Sequence, residues 1–319
     1  MSDCDNVTIV TACDHRYVWG AMLLGLSLRY SQTKCRFHVL GYDLTAEDIK
    51  CLESIADTKV FPLDLSTTRS MCTQKPLAIN TATTDRIVWM DSDCIVTGNV
   101  DKYLIASEGK MQIRFRGKTE NASVYRNIYH KSDKYGAIPQ SVLKIWQHDV
   151  ADLTEPKISS VCQTNCFVIT KEHIPFIQLW HRQMNQVLPS DASGVYLSDN
   201  LGYSMTDESV INSLFAYSSI APQTTEYLMD QDPNAYCAHF GLQPKPWKHW
   251  TQQSFVYYEY VQALLSWANT HDIVLPTLPT SFLRVNRSYE LLRSQCVYYY
   301  RAFRHTASNI CRLILRFWR

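Results

Sequence analysis

Glycine is scarce in this sequence, ten residues in 319, and none of it is arranged as G-x-G-x-x-G or G-x-x-x-x-G-K-[ST]. A glycine-rich nest is therefore excluded as the means of holding a phosphate, and a nucleotide bound here needs another source of positive charge. No apolar run approaches the roughly eighteen residues of a membrane-spanning helix. The net charge is only +1, so nothing global points to nucleic acid as a partner. The eleven cysteines form no C-x-x-C pair and no signal-peptide pattern precedes them, so they are expected as reduced thiols in a cytosolic protein. The sequons at Asn6, Asn121 and Asn286 are then chance matches. Acids nearly vanish from one region: Arg284 to Arg319 carries eight arginines, no lysine and one acid, Glu290.

What is present reads as alternating strand and helix. Val7 to Thr11 is an apolar strand ending near Asp14-His15-Arg16, and Tyr17 to Tyr30 repeats its apolar residues at helical spacing. Arg36 to Tyr42 is a second strand. Thr45 with Asp48 forms the start signal of a helix, and Lys59 to Leu63 is a third strand. After a short helix near Pro76 to Thr81 comes Arg86-Ile87-Val88-Trp89-Met90, an apolar strand that runs into Asp91-Ser92-Asp93. Such alternation specifies an α/β fold, a mostly parallel, Rossmann-like sheet covered by helices on both faces. At strand spacing Asp91 and Asp93 point the same way at the end of a strand, where open α/β sheets bind ligands. Two carboxylates there suit a hard divalent cation, Mg²⁺ or Mn²⁺, bridging to a phosphate; the plainer alternative is a turn capped by its own aspartates.

Residues 101 to 160 read as an irregular excursion beside the sheet. Gln163 to Thr170 is a further strand and His173 to Val187 a helix. Asp207-Glu208 opens another helix, either as acids favoured by the helix dipole or as carboxylates of a sugar site. Asp14 is placed either to contact a base or ribose or to cap the helix after it. The last cluster is His239-Phe240-Gly241-Leu242-Gln243-Pro244-Lys245-Pro246-Trp247. Histidine is the commonest nitrogen ligand, and a lysine between prolines is a point charge suited to phosphate.

Across residues 7 to 250 these landmarks resemble, in kind and order, the retaining GT-A glycosyltransferases of family 8, the glycogenin and lipooligosaccharide galactosyltransferase type. Asp91-Ser92-Asp93 matches the family's D-x-D. His239 with Lys245-Pro246-Trp247 is similar to its H-x-x-G-x-x-K-P-W, with Gly241 one residue early. The resemblance implies a GT-A fold and transfer of a hexose from a UDP-sugar to a glycan, glycolipid or protein acceptor, with retention. It implies that Asp91, Asp93 and His239 hold Mn²⁺ or Mg²⁺. Thr11, Ala12, Asp14, Tyr17, Lys75, Ser92, Gly241 and Lys245 would then contact the nucleotide sugar. Asp207, Glu208, Gln163 and Asn165 would face the transferred sugar. Two other classes compete: a non-catalytic domain that binds a nucleotide sugar or a partner, and a D-x-D phosphohydrolase, which lacks the downstream G-D-x-x-x-D it would need.

The expected division is a glycosyltransferase domain over residues 1–283 and a basic amphipathic tail over 284–319. Within 301–319, Ile310, Leu313, Ile314, Phe317 and Trp318 recur at three and four residues among arginines. That is the pattern of a helix lying on an anionic membrane surface, so the protein is expected to be cytoplasmic and peripheral on the inner face of a membrane, beside a lipopolysaccharide-type acceptor.

Overall fold

The computed structural model describes residues 6–63, 71–104, 109–188, 200–227, 229 and 237–317, without the side chains of 71, 72, 305 and 308–317. The chain divides into two compact units, Met1–Ala238 and His239–Arg319.

The first unit is built on a seven-stranded sheet in the order β3-β2-β1-β4-β7-β6-β8. Strands β1 (Val7–Asp14), β2 (Arg36–Tyr42), β3 (Thr58–Pro62) and β4 (Arg86–Met90) run parallel. Every residue of β1 is buried, as a strand covered on both faces requires. Helix α1 (Val18–Tyr30) is buried all round its first eleven residues, and α2 (Ala46–Glu53) starts on the expected box, Thr45 Oγ1 accepting from Asp48 N–H. Helix α3 (Lys75–Ile79) precedes β4, and β5 (Cys94–Val96) follows the two aspartates.

The interval 101–160, expected to be irregular, supplies β6 (Lys110–Phe115) to the sheet along with helices α4 (Lys118–Val124) and α5 (Gln140–Val150). Met111 and Ile113 are fully buried while Gln112 and Arg114 alternate with them, the period-two pattern of a strand with one face on the core. Strand β7 (Cys162–Thr170) lies antiparallel to both β4 and β6, so the sheet is parallel on one side and mixed on the other. Helices α6 (Ile174–Val187) and α7 (Thr206–Tyr217) and strand β8 (Gln223–Thr225), parallel to β6, complete it. A separate pair joins β5 to β9 (Cys237–His239), whose first two residues belong to this unit.

All twelve residues of α7 are buried, including Asp207, Glu208 and Asn212. Asn212 Oδ1 accepts from Cys162 N–H at 2.7 Å and its Nδ2 donates to Cys162 O at 3.2 Å, which fixes the helix against the start of β7. Asn121 is likewise wholly buried, donating to Gly136 O and accepting from Val161 N–H, so that sequon is inaccessible in the folded chain.

The second unit holds α8 (Gln252–Phe255), α9 (Tyr258–Thr270) and the 31-residue α10 (Arg287–Phe317). Trp250, Tyr258 and Phe282 are buried together in its small core. Among the described residues no helix is long and apolar enough to cross a membrane.

Gly25 marks a close contact of α1 with Phe37 of β2 and with Ile55. A Cβ there would stand 2.9 Å from both Phe37 Cε1 and Ile55 Cδ1, and Phe37 is fully buried. Gly25→Val is expected to lower unfolding free energy by about 1–3 kcal/mol through overpacking, read from urea melts. An unchanged midpoint would show that the layer has slack there.

Candidate active site

The helix that begins at Lys75 has proline in its first turn, where a missing N–H is harmless, and this sets the lysine at the edge of the sheet. Lys75 is 6% exposed. Its Nζ lies 3.0 Å from Asp91 Oδ1 and 3.0 Å from Asp207 Oδ2, and donates to Thr164 Oγ1 at 3.0 Å and Thr164 O at 3.1 Å. Trp89 Nε1 donates to the same Asp91 oxygen at 2.8 Å, and Thr164 Oγ1 reaches Asp207 at 3.3 Å. The backbone N–H of Asp91 bonds Asn165 O at 2.8 Å, because β7 runs antiparallel beside β4 and brings its start level with the end of β4. Three of the residues expected from sequence, Lys75, Asp91 and Asp207, therefore meet at one point. Burial pushes the Asp207 carboxyl up, and Asp91 and Glu208 add to this, with Lys75 opposing.

Glu208 does not stand alone. Arg116 grips it with two parallel bonds, Nη1 to Oε1 at 2.5 Å and Nη2 to Oε2 at 3.1 Å, and also donates to Cys162 O at 3.0 Å. Sequence reasoning missed Arg116. The available signal was the i, i+2 spacing of Arg114 and Arg116 where the alternating stretch ends. Gln163 is engaged as well, accepting from Arg114, which also holds Glu120. Asn165 is half-buried beside it. Ser92 and Asp93, each 8% exposed, follow Asp91 directly.

At the end of β1 the capping alternative for Asp14 is not realised, since its side chain makes no cap bond to the turn at residues 15–17. Instead Arg16 donates through Nε at 3.0 Å and Nη2 at 2.6 Å to Oδ2. Asp14 Oδ1 is buried without a hydrogen-bond partner, and so is Thr11 Oγ1. Two orphaned acceptors at the end of a central strand are costly unless a ligand satisfies them. Ala12 is buried between them in sequence and Tyr17 is half-buried at the end of the turn. Neighbouring His15 bonds Asp48 at 2.6 Å, which raises the imidazole pKa.

In the second unit His239 is exposed, and a Cβ on Gly241 would come within 3.1 Å of its ring. A cleft here is lined by His239, Phe240, Gly241, Leu242, Thr251 and Ser254. Lys245 is 5% exposed, and its Nζ donates to Phe240 O at 2.6 Å.

The fold of the chain is similar to that of solved glycosyltransferases. GlyE of Streptococcus pneumoniae TIGR4 superposes with a TM-score of 0.53 at 12% identity, over 86% of this chain and 65% of GlyE. An active-site mutant of LgtC gives 0.53 at 11% identity, over 87% of this chain and 100% of LgtC. The galactosyltransferase LgtC in complex with donor and acceptor sugar analogs gives 0.51 at 12%, over 81% and 95%. The chain has the GT-A glycosyltransferase fold. It spans just under two thirds of GlyE and the whole of LgtC. No protein-family model and no curated protein matches the sequence.

The Lys75 cluster predicts a strong thermodynamic coupling. Lys75→Met is expected to destabilise by about 3–5 kcal/mol, because it leaves a fully buried carboxylate without its cation. Adding Asp207→Asn should restore part of that loss, with a coupling above about 1 kcal/mol in a double-mutant cycle. Strict additivity would show that the two groups do not depend on each other.

Proposed function

We propose that this chain is a metal-dependent glycosyltransferase that moves a hexose from a UDP-sugar to a glycan, glycolipid or protein acceptor with retention. The observation that carries this reading is the buried polar cluster at the C-terminal edge of the sheet, where the central strand β4 ends, formed by Asp91, Asp207 and Lys75 with the Glu208–Arg116 pair beside it. The donors are carboxylate oxygens, the preferred ligands of Mg²⁺ and Mn²⁺. In this reading Asp91, Asp93 and His239 hold the ion, which when bound supplies charge neutralisation to the departing diphosphate.

The chain's own residues do the rest. Asp14 Oδ1 and Thr11 Oγ1 accept from the nucleoside, and Lys245 supplies a point charge to the diphosphate. Lys75 and Arg116 hold Asp207 and Glu208 as fixed negative charges beside the transferred sugar, where positive charge develops as the glycosidic bond breaks. Asn165 and Gln163, at the start of β7, border the same edge of the sheet.

Asp93→Asn is the cleanest test, since Asp91 also holds Lys75. The wild type should hydrolyse or transfer from a UDP-sugar with Mn²⁺ and leave phosphate monoesters untouched, while Asp93→Asn loses Mn²⁺-dependent turnover and keeps its melting temperature. Turnover retained in the variant sinks the metal assignment, and monoester hydrolysis by the wild type favours a phosphatase.

The acceptor side rests on α10. Tyr289, Leu292, Cys296, Tyr299 and Phe303 recur at three and four residues and are all exposed, Phe303 by 72%. The side chains of Ile310, Leu313, Ile314 and Phe317, those of Arg312 and Arg316, and all of Trp318 lie outside the described residues. Exposed Arg287, Arg301 and Arg304 flank the exposed stripe. An aromatic stripe edged by arginine suits the headgroup region of an anionic bilayer on the inner face of a membrane. The full chain should float with anionic liposomes at low salt and release at high salt, while a chain cut after Tyr300, which keeps Tyr289, Leu292, Cys296 and Tyr299 but loses Phe303, floats less. Equal flotation of both would place the contact on those four residues alone, and flotation of neither would assign the stripe to another role.

A further inference from the structure

The opposite face of α10 does something else. Glu290, the one acid after Arg284, is only 2% exposed, and Ser294 is 1% exposed one turn later. Glu290 Oε2 accepts from Trp250 N–H at 3.1 Å and Oε1 lies 3.0 Å from His249 Nδ1. Three turns along, Arg301 Nη1 donates to Gln243 O at 3.1 Å. Just ahead of the helix, Ser281 Oγ donates to Pro246 O at 2.7 Å while Trp250 Nε1 donates to Ser281 O at 2.9 Å. Every one of these bonds lands on the short segment 243–250 that carries Lys245. Inside that segment, His249 N–H and Lys248 N–H both bond Lys245 O, at 2.9 and 2.8 Å. The turn around Lys245 is thus held from Gln243 at one end, Pro246 in the middle and His249-Trp250 at the other, by residues 31 to 58 positions downstream.

We infer that Ser281, Glu290 and Arg301 are positioning residues for Lys245, so that the base of the arginine-rich helix is part of the diphosphate-binding apparatus and not an appendage to it. The inference rests on the reading of Lys245 as the diphosphate contact. A lysine side chain carries about 2 kcal/mol of rotamer entropy, so its value as a phosphate ligand depends on being fixed before the ligand arrives. The segment has two prolines to stiffen it but only one short helical turn of its own, and no sheet runs through it. Charge is distributed accordingly. The single acid of the region is turned inward onto two donors of the turn, while Arg301 caps a carbonyl at its other end.

The test separates the diphosphate from the nucleoside. With Mn²⁺ present, UDP affinity is measured by titration calorimetry and uridine affinity by ligand-detected NMR, on the full chain. Lys245→Ala sets the scale. Glu290→Gln and Arg301→Ala should each weaken UDP by about three- to tenfold, the range of one lost hydrogen bond, and leave uridine unchanged. Arg301→Lys should recover most of the Arg301→Ala loss. Because Arg301 is exposed, its variant keeps the question answerable even if Glu290→Gln impairs folding. Unchanged UDP affinity in Arg301→Ala, or an equal loss for UDP and uridine, overturns the inference. A wild-type chain that binds no UDP overturns instead the functional reading beneath it.

Discussion

One ammonium group sets the terms for the rest of this structure. Lys75 Nζ has three hydrogens and four acceptors within 3.1 Å, so every donor is committed inside the protein. Those acceptors come from the turn after β4, from the start of β7 and from the first turn of α7. The cluster therefore fixes three elements to the N-terminus of α3. Burying such charges is expensive, and an apolar replacement of the same shape often gives equal or better stability. What the ion cluster supplies is register. A one-residue slip of β7 against β4 would carry Thr164 to the other face of the sheet and break the bonds to Lys75 and Asp207 together.

The parallel half of the sheet is more legible from sequence than its mixed half. The parallel half announces itself through continuous apolar runs and a capping box, each a local pattern, and all four strands from Val7 to Met90 appear where those patterns stand. Strand β6 escapes such a reading because its alternation is short and polar on one face, and because lysine, tyrosine and histidine dominate the stretch around it. The antiparallel run of β7 leaves no local sign at all. Strand direction is decided by the connection, and a connection that contains β6 and two helices has no period to read.

The site divides along the same line. Asp91 and Asp207 are legible because each sits at the end of an apolar run or the start of a helix, where chemistry collects in α/β folds, and Lys75 only through the family resemblance. Their partners are not. Arg116 lies 92 residues before Glu208, and Thr164 lies 89 residues after Lys75. Nothing in the neighbourhood of either residue encodes a bond over that distance. The dipole reading of Asp207 and Glu208, sufficient from sequence, is insufficient in the structure: a helix N-terminus does not account for a lysine and an arginine each seated on one acid.

The scarcity of glycine has a structural counterpart. A backbone nest binds phosphate with N–H groups that the fold fixes without loss of side-chain freedom. A chain without one must use side-chain charges, and each must be immobilised by something. In the first unit the cations Lys75 and Arg116 are held by carboxylates, at distances of 2.5 to 3.0 Å, and Lys75 is buried well enough to have few other rotamers. In the second unit Lys245 is equally buried, and its Nζ donates to a carbonyl, Phe240 O. A carbonyl orients an ammonium without neutralising it, whereas a carboxylate does both, so the bond to Phe240 orients Lys245 by a different means from the acids that hold Lys75 and Arg116. The same physical demand, a fixed cation, thus has two solutions in one chain. Cations paired with acids set the geometry of Asp207 and Glu208, while Lys245 is oriented by a carbonyl and by the backbone bonds of its own turn.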